Sequence, residues 1–289
     1  MNELLAVIGI DMATHMGVWL LSVLWIFAVI TVIWVIGLFQ GNHSMMDGFY
    51  GFAYASQSWI CYYYSGANSA IAAAALVITS LHGCRLGFYL SKRWVGYRSN
   101  GGGDQRYIGF TTQLSPGYWW KSFFVVMQSQ TVVIVLIGLP STWGIMALAD
   151  ATHAGAQLNI LSLLGILVFG IGYYFEVVAD GQLQSYKQEK EKDKAYYKGK
   201  YLNSGVWTHT RHPNYFGNTC VWWGIWLTAV SGAPEYWWTI AGPAFNTIML
   251  TKILGKQFQD NFMGKRPEYQ ELMRKTNAFL PIPVNRDKS

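Results

Sequence analysis

The chain has 289 residues, of which 52% are hydrophobic and only 12% are charged, about half the charged fraction of an ordinary soluble domain. This composition excludes a water-soluble globular protein, because no polar stretch is long enough to form a core of its own. The net charge of +6 does not indicate nucleic-acid binding. Its lysines and arginines occur in short blocks beside apolar stretches, where anionic lipid headgroups are the expected partners.

Apolar stretches of the length that crosses a bilayer, roughly 20 residues each, recur along the chain. They predict an all-α polytopic membrane protein with a single membrane domain over residues 1–289, seven transmembrane helices and a C-terminal tail over residues 258–289. The predicted spans are residues 16–39, 47–64, 67–91, 119–139, 157–179, 214–232 and 236–257. The first span is too long for a signal peptide and follows acidic residues, so we expect it to be retained.

Lysine and arginine predict the orientation of these spans. Basic residues follow the third, fifth and seventh spans, whereas the opposite loops contain none. Because cytoplasmic loops are enriched in these residues, we expect the N-terminus outside and the C-terminus in the cytoplasm. The three cysteines show no CxxC pairing, so the sequence predicts neither disulfides nor a metal site.

The densest polar motif is GVWTHTRHPNYFGN, residues 205–218, at the start of the sixth span. Pro213 suits the first turn of a helix, and the amides and dipole of a helix N-terminus attract an anion. The motif therefore predicts a seat for the diphosphate of a nucleotide; the alternative is a juxtamembrane anchor with ordinary capping residues. The candidate cofactor-binding residues in this motif are Arg211, His212, Asn214, Tyr215 and Asn218.

The end of the fifth span carries Glu176, Asp180 and Lys187 at helical spacing, so these side chains share one face. A carboxylate pair in or near a bilayer is costly and indicates function by default. Asp180 suits a ribose or carboxamide group, and Lys187 suits a phosphate. The alternative is that this stripe only continues the helix into the cytoplasm.

The end of the seventh span repeats the pattern with Lys252, Lys256 and Asp260, each four residues from the next. Two lysines on one helix face suit the phosphates of a cofactor. They equally suit snorkelling of the long side chains to the lipid headgroups.

A further constellation lies inside the membrane, with Asp47 at the start of the second span and His82 late in the third. Both enter from the same side, so an Asp–His pair is geometrically allowed. Such a pair would make His82 a candidate proton donor and Asp47 its orienting partner. The alternative is a packed, hydrogen-bonded histidine.

Taken together, these motifs resemble the steroid 5-alpha-reductase family, in its bacterial branch of unassigned function, and more distantly the sterol C14 and C7 reductases. The resemblance covers most of the chain. It is carried by EVVAD (176–180), TRHPNYFGN (210–218), RPEY (266–269), TNAFLP (276–281), RLGFY (85–89) and GDQRY (103–107). It implies a seven-helix membrane enzyme, an NADPH-dependent oxidoreductase that reduces an activated carbon–carbon double bond in a 3-oxo steroid or similar lipid.

The resemblance also implies which residues act. Cofactor contacts fall on Asp180, Lys187, Asn214, Lys252 and Lys256, and the GDQRY segment adds Arg106 and Tyr107. Related reductases polarise the substrate ketone with a tyrosine paired to a glutamate; His82 falls at the tyrosine and Asp47 near the glutamate. We therefore expect hydride transfer to the β-carbon of a lipid enone, with His82 and Asp47 acting at the carbonyl oxygen.

Two other functions fit parts of the sequence. An S-adenosylmethionine-dependent methyltransferase of the isoprenylcysteine type shares the Arg-His-Pro motif, but it usually carries adjacent glutamates where this chain has QFQD, residues 257–260. A transporter or lipid-binding protein fits seven helices with buried charge, although no inverted repeat is visible. In each case the expected partners are membrane lipids and a lipophilic small molecule. The expected location is the bacterial inner membrane, with the cofactor site facing the cytoplasm.

Overall fold

The computed structural model describes residues 9–99, 104–253, 260 and 263–282. Throughout these residues the regular elements are helical, as predicted, and extended pairing is limited to a parallel bridge between Thr210 and Asn277. The chain divides into two compact units. Unit 1 comprises Met1–Leu164 and Ile225–Gly242, and unit 2 comprises Gly165–Gly224 and Pro243–Ser289.

The helices are numbered in chain order. The first six are α1 (His15–Gln40), α2 (Met45–Ser65), α3 (Ala70–Ser99), α4 (Gln105–Gln113), α5 (Tyr118–Ile137) and α6 (Leu139–Ala147). They are followed by α7 (Ile160–Lys192), α8 (Pro213–Val230), α9 (Ala241–Ile248) and α10 (Pro267–Lys275). Two 3₁₀ segments, Gly205–Thr208 and Pro234–Ile240, precede α8 and α9; π-helical turns occupy Phe123–Gln128 within α5 and Met249–Ile253 after α9.

Four helices among the described residues are long and apolar enough to cross a membrane: His15–Gln40, Ala70–Gly96, Tyr118–Ile137 and Ile160–Lys192. They coincide with the first, third, fourth and fifth predicted spans and indicate an integral membrane protein. The remaining predicted spans fall on α2, α8 and α9. The last of these, 236–257, is divided between a 3₁₀ segment, α9 and a π-helical turn, and its final residues lie outside the described part of the chain.

Helix boundaries differ from the predicted spans mainly at the polar ends. α3 continues to Ser99 and α7 to Lys192, well beyond the predicted limits of 91 and 179. Hydropathy ends a span at the first charges, whereas backbone hydrogen bonding continues as long as the helix remains favourable in water. At the C-terminal end of α1, Gly41 adopts the left-handed conformation, with φ of 63°, and ends the helix.

In unit 1, α2 and α3 approach each other closely through glycines. A Cβ atom added to Gly51 would lie 2.3 Å from the backbone nitrogen of Gly87, and one added to Gly83 would lie 2.7 Å from the Gly51 carbonyl oxygen. Small residues at such spacing let two membrane helices pack backbone to backbone. Further along, Gly48 lies beside Ser91, which fixes the register between the two helices.

In unit 2, α7 and α8 pack in the same way. A Cβ atom on Gly172 would lie 2.5 Å from the Gly217 carbonyl oxygen, and one on Gly217 would lie 2.5 Å from the backbone nitrogen of Glu176. These close approaches leave no room for larger side chains between the two helices. The packing brings the polar end of α7 against the polar start of α8.

Candidate functional site

Two carboxylates of α7 face two amides of α8 in unit 2. Asn214 Nδ2 donates to Asp180 Oδ1 at 3.2 Å, and Asn218 Nδ2 donates to Glu176 Oε1 at 3.1 Å. Both acids are buried, with 3% of Glu176 and 5% of Asp180 exposed. On each helix the two residues are four apart, so the pairs form two rungs about one helical turn apart. We call these four residues the amide–carboxylate ladder.

A third helix extends the ladder. Asn246 of α9 donates from Nδ2 to Asn218 Oδ1 at 3.0 Å, and Asn246 is itself buried. Sequence reasoning missed Asn246, although a lone asparagine in an apolar stretch is costly unless it finds a partner. Three helices of unit 2 therefore converge on one polar cluster.

The ladder offers the groups that recognise a polar ligand in an otherwise apolar setting. Glu176 and Asp180 accept hydrogen bonds from neutral amides, and carboxylates equally accept from other N–H and O–H donors, such as a carboxamide or a ribose hydroxyl. A few polar groups converging among apolar side chains are typical of cofactor sites. The residues present therefore fit the nicotinamide and ribose portion of a dinucleotide.

The predicted lysines have different outcomes. Lys187 is exposed on α7, about 10 Å along the helix from Asp180 at 1.5 Å per residue. Lys252 is exposed in the π-helical turn after α9. Lys256 lies outside the described residues. Exposed ammonium groups fit a phosphate contact, so the role of Lys187 and Lys252 stays a prediction.

Arg211, predicted as a diphosphate contact, is a structural cross-link. Its Nε and Nη2 donate to the two carboxylate oxygens of Asp260 at 3.2 and 2.9 Å, and its Nη1 donates to the carbonyl oxygens of Met273 at 3.3 Å and Thr276 at 2.5 Å. Arg211 is only 8% exposed. These four hydrogen bonds all lie within unit 2 and use most of the donors that a guanidinium has. Arg211 therefore holds the C-terminal segment, and its predicted contact with a phosphate stays a prediction.

Asp260 is the centre of this cluster. Besides Arg211 it contacts His212, whose Nε2 lies 3.3 Å from Oδ1, and Tyr269, whose hydroxyl donates to Oδ1 at 2.7 Å. Burial raises the pKa of Asp260, but the hydrogen bonds from His212, Arg211 and Tyr269 outweigh it and hold that pKa well below its usual value. The ring of His212 stacks on Tyr215, with centroids 5.3 Å apart. Two predicted cofactor residues, Arg211 and His212, thus both contact a third, Asp260.

In unit 1, Asp47 at the start of α2 accepts hydrogen bonds from three side chains. Arg93 Nη2 donates to Oδ2 at 2.8 Å, Tyr107 donates its hydroxyl proton to Oδ1 at 2.8 Å, and Arg106 Nη2 also contacts Oδ2. Asp104 caps α4 by accepting from the Arg106 backbone at 3.0 Å. Burial raises the pKa of Asp104, but hydrogen bonds from Arg106 and the charge of Arg93 outweigh it and leave that pKa below its usual value.

The structure does not bring Asp47 and His82 together. Gly48, adjacent to Asp47, lies beside Ser91, which is nine residues after His82 on α3. At 1.5 Å per residue the two side chains lie at levels about 13 Å apart along the helix pair. The predicted Asp47–His82 contact is therefore wrong, because sequence periodicity gives no register between neighbouring helices. His82 itself is fully buried, with 0% exposed.

A comparison with known protein families gives one match. The model described as "Protein of unknown function (DUF1295)" matches residues 33–276, a range that contains both the ladder and the Asp47 cluster. No curated protein matches this chain, and no solved structure does.

Proposed function

The chain belongs to the DUF1295 family, which is related to the steroid 5-alpha-reductase-like proteins, and on that premise we propose that it is a membrane-embedded NADPH-dependent reductase. Its substrate is a 3-oxo steroid or similar lipid enone. In the net reaction the β-carbon of the activated double bond gains a hydride from NADPH, which is oxidised to NADP⁺, and the α-carbon gains a proton. The observation that carries the proposal is the amide–carboxylate ladder, in which buried carboxylates are partnered by amides on a facing helix.

In this proposal, different residues of unit 2 contact different parts of the cofactor. Asp180 accepts hydrogen bonds from carboxamide or hydroxyl donors, and Asn214 orients Asp180 through the hydrogen bond between them. Lys187 supplies positive charge for phosphate further out on α7. When bound, NADPH supplies the hydride. Because Arg211 is committed to Asp260, it contributes by fixing the start of α8.

His82 is the proposed donor to the substrate carbonyl. An imidazole N–H can donate a hydrogen bond to the carbonyl oxygen, on which negative charge develops during the reaction. Such a hydrogen bond lowers the barrier most in a site without water, and His82 is fully buried. Tyr107 is less suited, because its hydroxyl proton is directed at Asp47 and burial raises the pKa of Tyr107 well above its usual value. Asp47 acts indirectly in this scheme by tying α4 to the end of α3.

We further propose seven spans with the N-terminus outside, in the bacterial inner membrane. The ends of unit 1 support this orientation. One end contains Arg93 and Arg106 beside Asp47, whereas the opposite end carries Asp150 and Glu235, paired with histidines. An arginine-rich end facing the cytoplasm follows the positive-inside rule.

Binding of NADPH to the purified protein tests the cofactor assignment. We expect saturable NADPH fluorescence with the wild-type chain and affinity at least about tenfold weaker in Asp180→Asn, because a hydrogen bond to a charged group is lost at nearly constant shape. Glu191→Gln, an exposed change on the same helix, is the matched control and should bind as the wild type does. Absence of NADPH binding by folded wild-type protein would contradict the proposal. Stabilisation by S-adenosylmethionine instead would favour a methyltransferase.

The role of His82 is tested separately by His82→Phe. We expect turnover of a lipid enone to fall by about 100-fold or more, as for loss of a general acid, while the dissociation constant for NADPH stays within about twofold. His209→Phe, at an exposed histidine of unit 2, controls for loss of an imidazole elsewhere. A parallel loss of turnover and NADPH affinity in His82→Phe would assign His82 to packing.

A further inference from the structure

The helix α6 (Leu139–Ala147) is buried on nearly all sides, although the sequence places most of it in a loop beyond the fourth span. Eight of its nine residues are buried: Leu139, Pro140, Ser141, Thr142, Gly144, Ile145, Met146 and Ala147. A helix that is buried on nearly all sides normally lies at the centre of a larger core. At nine residues, however, α6 is only about 13 Å long and cannot span a bilayer. Its burial must have another purpose.

The neighbours of α6 place it at one end of unit 1. Met146 packs with Val18 near the start of α1 and Cys61 near the end of α2. Ile145 belongs to a cluster with Ile71 and Ala72, in the first turn of α3. The end of α2 and the start of α3 are joined by a short turn, so these contacts all lie at the same end of the helix pair. α6 therefore covers the end of unit 1 opposite to Asp47.

Two histidine–carboxylate contacts fasten the segment that follows α6. His15 Nε2 lies 3.4 Å from Asp150 Oδ1, and His153 Nε2 lies 2.6 Å from Glu235 Oε1. The backbone N–H of His153 also donates to the Asp150 carbonyl oxygen at 2.8 Å, which links the two pairs. One pair thus ties the segment to the start of α1, and the other ties it to the 3₁₀ segment before α9.

Aromatic rings add a second fastening. Trp143 is the one residue of α6 that is only partly buried, and its ring lies 6.0 Å from Trp19 and 5.7 Å from Trp238 between centroids. These two tryptophans belong to α1 and to the 3₁₀ segment, the same two elements that the histidine–carboxylate contacts reach. Offset and edge contacts of this kind stabilise beyond the area that they bury.

We propose that α6 is a plug that closes this end of unit 1, and that His15–Asp150 and His153–Glu235 hold the plug in place. The plug excludes water and solutes from the interior at this end. A ligand that reaches the interior of unit 1 must then enter from the opposite end or from the bilayer. The proposal rests on unit 1 alone and does not depend on the reductase activity.

Cys61 is a natural reporter of the plug, because it is fully buried and packs against Met146. In a Cys84→Ser/Cys220→Ser background, Cys61 is the only cysteine of the chain. Its rate of labelling by a membrane-impermeant maleimide reports how often α6 moves aside. We expect slow labelling in this background and labelling about three- to tenfold faster when His15→Gln and His153→Gln are added, the range for losing two partly exposed pairs.

His209→Gln in the same background is the matched control and should label at the parent rate. If the double histidine variant does not fold, Asp150→Ala and Glu235→Ala remove the same two contacts from the carboxylate side. Unchanged labelling in a folded variant that has lost both pairs would overturn the proposal. Equal acceleration by His209→Gln would also overturn it, since the effect would not arise from the plug.

Discussion

Asp260 accepts hydrogen bonds from three side chains that come from two separate parts of the sequence. Arg211 and His212 precede α8, and Tyr269 lies in α10. The Arg211–Asp260 pair is largely removed from water, with side chains 6% and 10% exposed. Removing one partner from such a pair leaves the other charge buried without compensation, which costs far more than losing a surface pair. This cluster therefore fixes the C-terminal segment to the start of α8.

Asp260→Asn should lower the free energy of unfolding by about 3 kcal/mol at neutral pH, measured by thermal or denaturant unfolding in detergent. Because the pKa of Asp260 is lowered in the folded state, its contribution is complete above its usual value of 3.8 and is lost as the pH falls through the lower folded-state pKa. The difference in the free energy of unfolding between the wild type and Asp260→Asn should stay constant from about pH 8 to 6 and shrink below about pH 4. Glu271→Gln, which breaks the exposed pair with Lys275, should change stability by less than about 1 kcal/mol. A gap that widens on acidification would rule out this account.

The sequence predicted which helix carries each residue, but not the height along neighbouring helices at which two residues lie. The sequence places Asp47 and His82 on adjoining helices that enter from one side, and they lie on α2 and α3 respectively. Whether they meet was not predictable, because the register between α2 and α3 is set by the close approach of Gly48 to Ser91. Likewise, the spacing of Asp260 from the two lysines before it gave no indication that its partner would be Arg211.

At the scale of helices, α7 and α8 are positioned by backbone contact rather than by interlocking side chains. The atoms nearest to a Cβ on Gly172 are backbone atoms of Gly217 and Val221, at 2.5 and 2.6 Å. Backbone atoms cannot turn away as a flexible side chain can. The ladder depends on this closeness, because the short side chains of Asn214 and Asn218 must reach the opposite helix.

Gly172→Ala should therefore destabilise unit 2 by about 1–3 kcal/mol, the usual cost of overpacking, and should weaken NADPH binding at the ladder. Gly170→Ala is the matched control on the same helix, since no atom lies within 4 Å of its added Cβ. That control should stay within about 1 kcal/mol of the wild type, because alanine is the better helix former. The free energies of unfolding of the two variants are compared with that of the wild type. Equal destabilisation by both substitutions would show that the close α7–α8 contact at Gly172 does not determine the stability of unit 2.

Helix faces were predictable from sequence, but their pairing was not. The four-residue spacing of Glu176 and Asp180 predicted one polar face, and Asn214 and Asn218 form the other with the same spacing. Only the folded chain shows that these faces meet, and that Asn246 joins them. α6 escaped prediction for another reason: at nine residues it is too short to be recognised as a span, so the residues that follow the predicted fourth span were left in a loop.

For the whole molecule, composition and hydropathy predicted a helical membrane protein, and four candidate spans confirm that part. The predicted seven spans and their orientation depend in addition on α2, α8 and α9. α2 and α8 carry polar residues on the faces that pack inside the protein, and these lower their hydropathy. Mean hydropathy counts both faces of a helix, whereas the bilayer contacts only the outer one. A helix with a polar face inside the protein therefore has a low hydropathy even where it crosses the membrane.

Reporter fusions test the orientation of the whole chain. A fluorescent protein fused after Ser289 should be fluorescent, and alkaline phosphatase fused at the same place should be inactive, since both report a cytoplasmic C-terminus. The same two reporters fused after a truncation at Asp150 should give the opposite pattern, which provides the internal control. Phosphatase activity at both positions would contradict the three spans proposed between Asp150 and Ser289 and the cytoplasmic C-terminus.

The ladder also determines what a single substitution within it would change. Each rung joins one carboxylate of α7 to one amide of α8, as Glu176 does with Asn218 and Asp180 does with Asn214. Exchanging the two members of a rung between the helices would keep one carboxylate and one amide in that rung, whereas changing one member alone would alter its charge. The functional unit is therefore the cross-helix pair rather than either residue by itself.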